Sequence, residues 1–154
     1  SYIHGGGKIG VMVRAESPAG AIPEILAAAK DCALQVAAMN PPYLKREDVP
    51  AAVLDEEKKI ILAQMAEDPK MANKPEQVKE KIAAGKVGKY YGENCLLEQA
   101  FVKENKETVQ SYVDGVAKAA GTTIAITDFV RFERGEGIEK KADNFAEEIA
   151  SMIK

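Results

Sequence analysis

Residues 2–14 read Tyr-Ile-His-Gly-Gly-Gly-Lys-Ile-Gly-Val-Met-Val-Arg and contain the clearest structural signal in the chain. From residue 8 onward the side chains alternate, so that Ile9, Val11 and Val13 share one face, which is typical of a half-buried β-strand. The three glycines before this strand can adopt the positive φ angles that a tight turn requires. The sequence therefore predicts a β-hairpin in which residues 2–4 pair back onto the strand.

A helix is predicted after this strand, because apolar residues recur there with helical spacing. It should end near Met39, since the segment Asn40-Pro41-Pro42 cannot continue a helix. The residues predicted to share its apolar face are Ile22, Ile25, Leu26, Ala29, Cys32, Ala33 and Val36.

Two further helical stretches, about residues 49–68 and 75–91, are separated by a short turn and predict an antiparallel helical hairpin. Their apolar stripes are narrow, so we expect this coiled-coil hairpin to project from the body. Asp48 is a candidate cap for the first stretch. Gly85 and Gly88 each cost about 1 kcal/mol relative to alanine, so the second stretch is expected to be weak or bent there.

The last third of the chain predicts a helix over residues 108–120, ended by Gly121, and then a β-rich segment over residues 122–134. In that segment Ile124, Ile126, Val130 and Phe132 share a parity. Phe129 faces the other way, so either both faces are covered or a bulge intervenes. A short amphipathic helix is predicted from Asn144 onward, with an apolar face formed by Phe145, Ile149, Met152 and Ile153.

This order of elements predicts the α+β class: an antiparallel sheet packed with helices, an inserted antiparallel helical hairpin and a C-terminal helix. We expect residues 1–44 and 92–135 to form the core subdomain. Residues 45–91 would be the inserted hairpin or dimerisation domain, and residues 136–154 a C-terminal helical module.

Composition excludes some classes of function. The net charge is only −3, whereas proteins that bind nucleic acids directly usually carry a basic excess. No apolar run approaches the ~20 residues of a membrane span, and no secretory signal is present. Cys32 and Cys95 match no metal or redox spacing and are interpreted as reduced thiols of a cytoplasmic protein. Because the chain starts at Ser1 without an initiator Met, we interpret it as a fragment or a processed form.

No residue pattern predicts catalysis, a metal or a cofactor. His4 is the only histidine, and no ligand cluster or triad pattern surrounds it. The glycines before Lys8 precede a strand, whereas a phosphate-binding loop lies between a strand and a helix. His4 is therefore either an ordinary strand-end residue or a partner contact. The terminal helix packs either on its own body or in a groove of a partner.

Several stretches, taken together, resemble the bacterial translation elongation factor Ts family. Residues 1–13 resemble its core strands, and residues 37–50 the end of a helix and the start of its helical hairpin. Residues 88–103 resemble the end of that hairpin, with Ala100 where proline is usual, and residues 129–139 resemble the last strand and its link to the C-terminal helix. The matches are in order and cover nearly the whole chain.

The resemblance implies a guanine nucleotide exchange factor that releases GDP from elongation factor Tu without a cofactor or a covalent intermediate. It implies partner contacts in two places, at the glycine turn and on the terminal helix: His4, Gly5, Gly6, Phe145, Ile149, Met152 and Ile153.

The family's N-terminal helical domain and the first half of its core are absent, and with them a Thr-Asp-Phe-Val signature. The Thr127-Asp128-Phe129-Val130 of this chain lies in the last strand and is interpreted as a coincidence of letters. We therefore expect partner binding with weakened exchange. The alternative is a self-association module that forms a homodimer through the helical hairpin and has no exchange activity of its own.

Overall fold

The computed structural model describes residues 1–138, which form a body of strands and helices with a helical hairpin inserted in it. The strands and α-helices follow one another in this order: β1 (Tyr2–His4), β2 (Ile9–Glu16), α1 (Pro23–Met39), α2 (Ala51–Glu67), α3 (Pro69–Ala72), α4 (Glu76–Asn94), β3 (Ala100–Phe101), β4 (Glu104–Thr108), α5 (Val109–Ala119) and β5 (Ala125–Glu133). Short 3₁₀ turns, Arg46–Asp48 and Leu96–Glu98, flank the inserted helices.

The predicted β-hairpin is confirmed. β1 and β2 pair antiparallel, with Tyr2 opposite Val11 and His4 opposite Ile9. The turn between them places all three glycines at positive φ, with Gly5 at 59°, which residues with a side chain rarely adopt. β5 pairs antiparallel with the other side of β2, giving a three-stranded sheet in the order β1-β2-β5.

A β-bulge in β5 resolves the ambiguous parity of that strand. Arg14 lies opposite Asp128 and the next residue of β2 lies opposite Ile126, so Thr127 is an extra residue. An extra residue reverses the side-chain alternation beyond it. Ile126 is accordingly 7% exposed on the inner face, whereas Phe132 is 63% exposed on the outer face. The shared parity of these two residues in the sequence therefore does not give a shared face.

Helix α1 covers the inner face of the sheet, and α5 packs against α1 and closes the main core. The buried apolar side chains of that core are Val11, Ile25, Cys32, Ala33, Val36, Ala37, Leu96, Phe101, Val109, Val113, Ala117, Ile124 and Ile126. Leu26 was expected on this face of α1, but it is exposed, and Gln35 is buried instead. The helix ends as predicted at Asn40, which has a φ of 46° and donates its N–H to the Val36 carbonyl at 2.9 Å.

The inserted hairpin has its own small core between α2 and α4, formed by Ile61, Met65, Ala83 and Val87. α4 is one continuous helix, so Gly85 and Gly88 do not interrupt it. The predicted cap of α2 is wrong. The Asp48 carboxylate accepts the backbone N–H of Lys45 at 3.2 Å and closes the 3₁₀ turn, while Pro50 takes the position before the helix.

The α+β class is confirmed, since the described residues combine α-helices with antiparallel sheets. The division into three regions stays a prediction. The predicted C-terminal helix lies outside the described residues. Within residues 1–138, none of the helices has the length and apolar character needed to cross a membrane.

Candidate partner-binding surface

The turn between β1 and β2 presents the predicted contact residues together at one end of the sheet. His4 is exposed, and its Nδ1 shares a hydrogen bond of 2.9 Å with the Tyr2 hydroxyl. The two rings also lie 5.8 Å apart between centroids. When Tyr2 donates in this bond, the neutral imidazole carries its proton on Nε2. Tyr2 thus orients the ring, and the other ring nitrogen is available for a hydrogen bond to a partner.

Gly5 and Gly6 expose the backbone of this turn. A Cβ at Gly6 would have no described atom within 4 Å, and one at Gly5 would meet only the Cβ of Lys8, at 3.4 Å. Space is therefore available, but the φ values of 59° and 62° disfavour any side chain. The turn combines a fixed shape with peptide groups that a partner can approach closely.

The end of β5 contacts the glycine turn through one backbone hydrogen bond and one ion pair. The backbone N–H of Arg134 donates to the Lys8 carbonyl at 2.8 Å, and Lys8 Nζ lies 3.8 Å from Glu133 Oε1. Arg131 donates to the other oxygen of Glu133 at 2.8 Å, and this bond lowers the pKa of the Glu133 carboxyl. These contacts hold the turn against the sheet.

The outer face of the sheet carries a second exposed surface that the sequence analysis did not single out. Ile3, Gly10 and Phe132 face one another across the three strands, and Met12 faces Val130 in the neighbouring row. All four large side chains are exposed. Gly10 has no side chain, and the Ile3 side chain lies over the space that a Cβ there would border. A contiguous exposed apolar face of this kind commonly marks an interaction site. Placing the bulge at Thr127 from the sequence would have put these side chains on one outer face and so identified this surface.

The elongation factor Ts family model matches residues 1–136 of the chain. The chain belongs to the elongation factor Ts family. It is 49% identical over 154 residues to elongation factor Ts of Clostridium kluyveri. This alignment covers 99% of this chain and 48% of the relative.

Two more relatives give the same picture. Elongation factor Ts of Syntrophotalea carbinolica is 44% identical over 153 residues, and that of a Clostridium botulinum strain is 46% identical over 157 residues. Each alignment covers 99% of this chain and 49% of the relative. The chain therefore spans about half the length of the elongation factor Ts proteins that it matches.

The second predicted contact set of this family member, Phe145, Ile149, Met152 and Ile153, lies outside the described residues. The structure therefore brings together His4, Gly5 and Gly6 and does not describe the other four. The last described residue, Ile138, follows the turn after β5 and is exposed. The chain thus leaves the described part from the same end of the sheet as the glycine turn.

Within residues 1–138 no three His, Cys, Asp or Glu side chains are grouped closely enough to hold a metal ion. The two thiols of this elongation factor Ts chain are buried and free. Burial raises the pKa of Cys32 to about 12 and that of Cys95 to about 11. Both thiols are therefore protonated near neutral pH and are poor nucleophiles.

Proposed function

We propose that this chain is part of a guanine nucleotide exchange factor of translation elongation and that it binds elongation factor Tu. The observation that carries the proposal is the family match over residues 1–136. The name of the relatives, elongation factor Ts, supports it. The glycine turn with His4 is the proposed contact on the described part, and the apolar residues of the terminal segment are the proposed second contact.

Exchange by such a protein requires a coupling of two binding equilibria and no covalent chemistry. If the GTPase conformation that the factor prefers binds GDP poorly, each ligand lowers the affinity for the other by the same factor. Only contacts that differ between the two conformations contribute to this coupling. The glycine turn suits such a contact, because a partner can approach its exposed peptide groups closely.

Titration calorimetry with elongation factor Tu tests the binding proposal. His4→Ala should weaken binding about two- to tenfold, the equivalent of one net hydrogen bond of about 0.5–1.5 kcal/mol. Gln77→Ala, an exposed polar truncation on α4 far from the turn, is the matched control and should leave the affinity unchanged. If neither variant differs from the parent chain, His4 does not belong to the interface.

Stopped-flow release of a fluorescent GDP analogue separates binding from exchange. The chain spans about half the length of its relatives, and its residues resemble the later part of the family's sequence. We therefore expect it to bind the GTPase but to release GDP much more slowly than a full-length relative does. Full stimulation by this chain would show that the other half of a full-length relative is dispensable or that Asp128 and Phe129 replace the Thr-Asp-Phe-Val signature of that half.

Self-association through the hairpin is the second candidate function. Ile60, Leu62 and Val78 are exposed on the hairpin helices, and a second copy could bury them as in a coiled coil. Size-exclusion chromatography with light scattering tests this idea. A dimer that Leu62→Lys converts to monomer would support it, whereas a dimer that persists in this variant would exclude the face of α2 that carries Leu62.

A further inference from the structure

The two chain segments that connect the hairpin to the body run side by side. Tyr43 and Cys95 form an isolated parallel bridge. The Tyr43 N–H donates to the Asn94 carbonyl at 3.2 Å, and the Leu96 N–H donates to the Tyr43 carbonyl at 2.9 Å. A further bond of 3.0 Å joins the Leu97 N–H to the Leu44 carbonyl. These bonds fasten the connecting segments to each other at the point where α4 ends, which is the junction between the hairpin and the body.

Beyond this junction the hairpin has few ties to the body. Its core between α2 and α4 is a separate cluster from the main core. α4 ends at Asn94, and Cys95 is extended, with a φ of −107° and a ψ of 117°. A change from helix to extended backbone between two separate cores is a natural place for a rigid-body rotation.

Two side chains bond across this junction in the described residues: Gln99 donates to the Glu93 carbonyl of α4 at 2.8 Å, and Arg46 contacts both sides. Its Nε and Nη2 donate to the two carboxylate oxygens of Glu98 at 2.8 and 2.6 Å. Its guanidinium carbon also lies 5.1 Å from the ring centroid of Tyr91. Glu98 lies in the 3₁₀ turn after α4, and Tyr91 packs against the hairpin core. One planar group is therefore held at once by the body and by the hairpin.

The chemistry of arginine suits this role. The paired bonds to a carboxylate fix the plane of the guanidinium, and stacking on an aromatic ring fixes its remaining face. A lysine would supply charge without either constraint. The Arg46 and Glu98 side chains are 57% and 26% exposed, so the carboxylate is the more shielded member and the pair is screened less than a fully exposed one.

We propose that Arg46 is a positioning residue that fixes the angle of the helical hairpin to the body by clamping Glu98 and Tyr91 together. When the clamp is lost, the hairpin rotates about the end of α4 while both cores stay folded. Insofar as the proposed function is correct, the clamp also sets how the glycine turn and the hairpin are presented to one partner at the same time.

Distances between two spin labels in the free chain test this proposal without any partner. The labels are attached to Asn73→Cys at the hairpin turn and to Lys118→Cys on α5, both exposed. Cys32 and Cys95 are buried, so labelling is confined to the introduced thiols. The parent chain should give one narrow distance distribution. Arg46→Ala should abolish that narrow distribution and give a broad or shifted one.

Glu98→Gln keeps Arg46 and the shape of its partner but removes the negative charge. It should likewise give a broader or shifted distance distribution than the parent chain. Lys89→Ala breaks the Lys89–Glu93 pair within α4 and should leave the distribution narrow. Circular dichroism identifies a variant that has lost its helices, in which case Glu98→Gln decides. Parent-like distributions for Arg46→Ala and Glu98→Gln would overturn the proposal. Because no GTPase is present, this result is independent of whether the chain binds elongation factor Tu.

Discussion

The side chain of Gln35, buried in the middle of α1, makes a strong prediction about stability. Its amide nitrogen donates to Gln99 Oε1 and to the Ala100 carbonyl, both at 3.1 Å. Its amide oxygen accepts the Val102 N–H at 2.9 Å. Gln99 in turn donates to the Glu93 carbonyl near the end of α4, at 2.8 Å. One glutamine thus joins α1 to β3 and, through its partner, to the hairpin.

The substitution Gln35→Leu removes these bonds at nearly constant volume, so no large cavity adds to the loss. Gln99 is 1% exposed, and its stranded oxygen should cost about 1–3 kcal/mol. Ala100 and Val102 are exposed residues, so water can replace their lost partner at little cost. We expect a loss of about 2 kcal/mol in the free energy of unfolding, which lowers Tm by about 4–8 °C.

Urea unfolding followed by circular dichroism measures this loss, and Gln110→Leu is the matched control. Gln110 bonds to Asp114 one turn along α5 at 2.8 Å, and surface changes of this kind stay within about 0.5 kcal/mol. If Gln35→Leu differs from Gln110→Leu by less than about 0.5 kcal/mol, the buried network does not stabilise the fold and the reasoning is wrong.

Three further outcomes are expected. Because Arg131 lowers the pKa of Glu133 below its ordinary value of 4.5, the ionised carboxylate stabilises the fold above that value, and this contribution is lost as the pH falls through the lowered pKa. Urea unfolding between about pH 3 and pH 7 should therefore show a smaller acid-dependent loss for Glu133→Gln than for the parent. Deletion of Thr127, the extra residue, should convert the bulge to regular pairing and keep the other β5 side chains on their present faces, so it should cost less in urea unfolding than deletion of Val130, which has a partner in β2; an equal loss for both deletions would contradict the bulge. Val113→Ala removes two fully buried methyl groups and should cost about 2–3 kcal/mol by thermal unfolding, whereas the exposed Val102→Ala should cost less than about 0.5 kcal/mol.

Local patterns were sufficient for most elements of this fold. Period-2 alternation located β2, and helical spacing with a proline stop located α1 and its end at Asn40. Gly121, with a φ of 65°, follows α5 as the sequence predicts. These features depend on neighbours in the chain, which the sequence displays directly.

The missed features depend on distant partners. Gln35 is buried because Gln99 and Val102, more than 60 residues away, satisfy its amide, and no local pattern contains that information. Leu26 has helical spacing, but it falls outside the part of α1 that the sheet covers. The short ribbon of β3 and β4 was not predicted, since β3 has only two residues.

The candidate surface was predicted in part. The turn geometry around His4 follows from its three glycines, but the orienting bond from Tyr2 depends on the side chains of the finished strand. The clamp at Arg46 was missed because Glu98 is 52 residues away. The partner-binding role of the turn and of the terminal residues stays a prediction.

The bulge in β5 also bears on how the edge of the sheet avoids pairing with another chain. β5 is an outer strand of its sheet, and a regular outer strand is a template on which another chain can add. Thr127 breaks the regular spacing of its peptide groups, and the inward-pointing Arg131 is largely buried and paired with Glu133. A second chain that approached this edge would meet an irregular backbone and would have to desolvate a charge beneath it. Contacts between molecules are thereby directed to side-chain surfaces, and open-ended growth of the sheet is disfavoured.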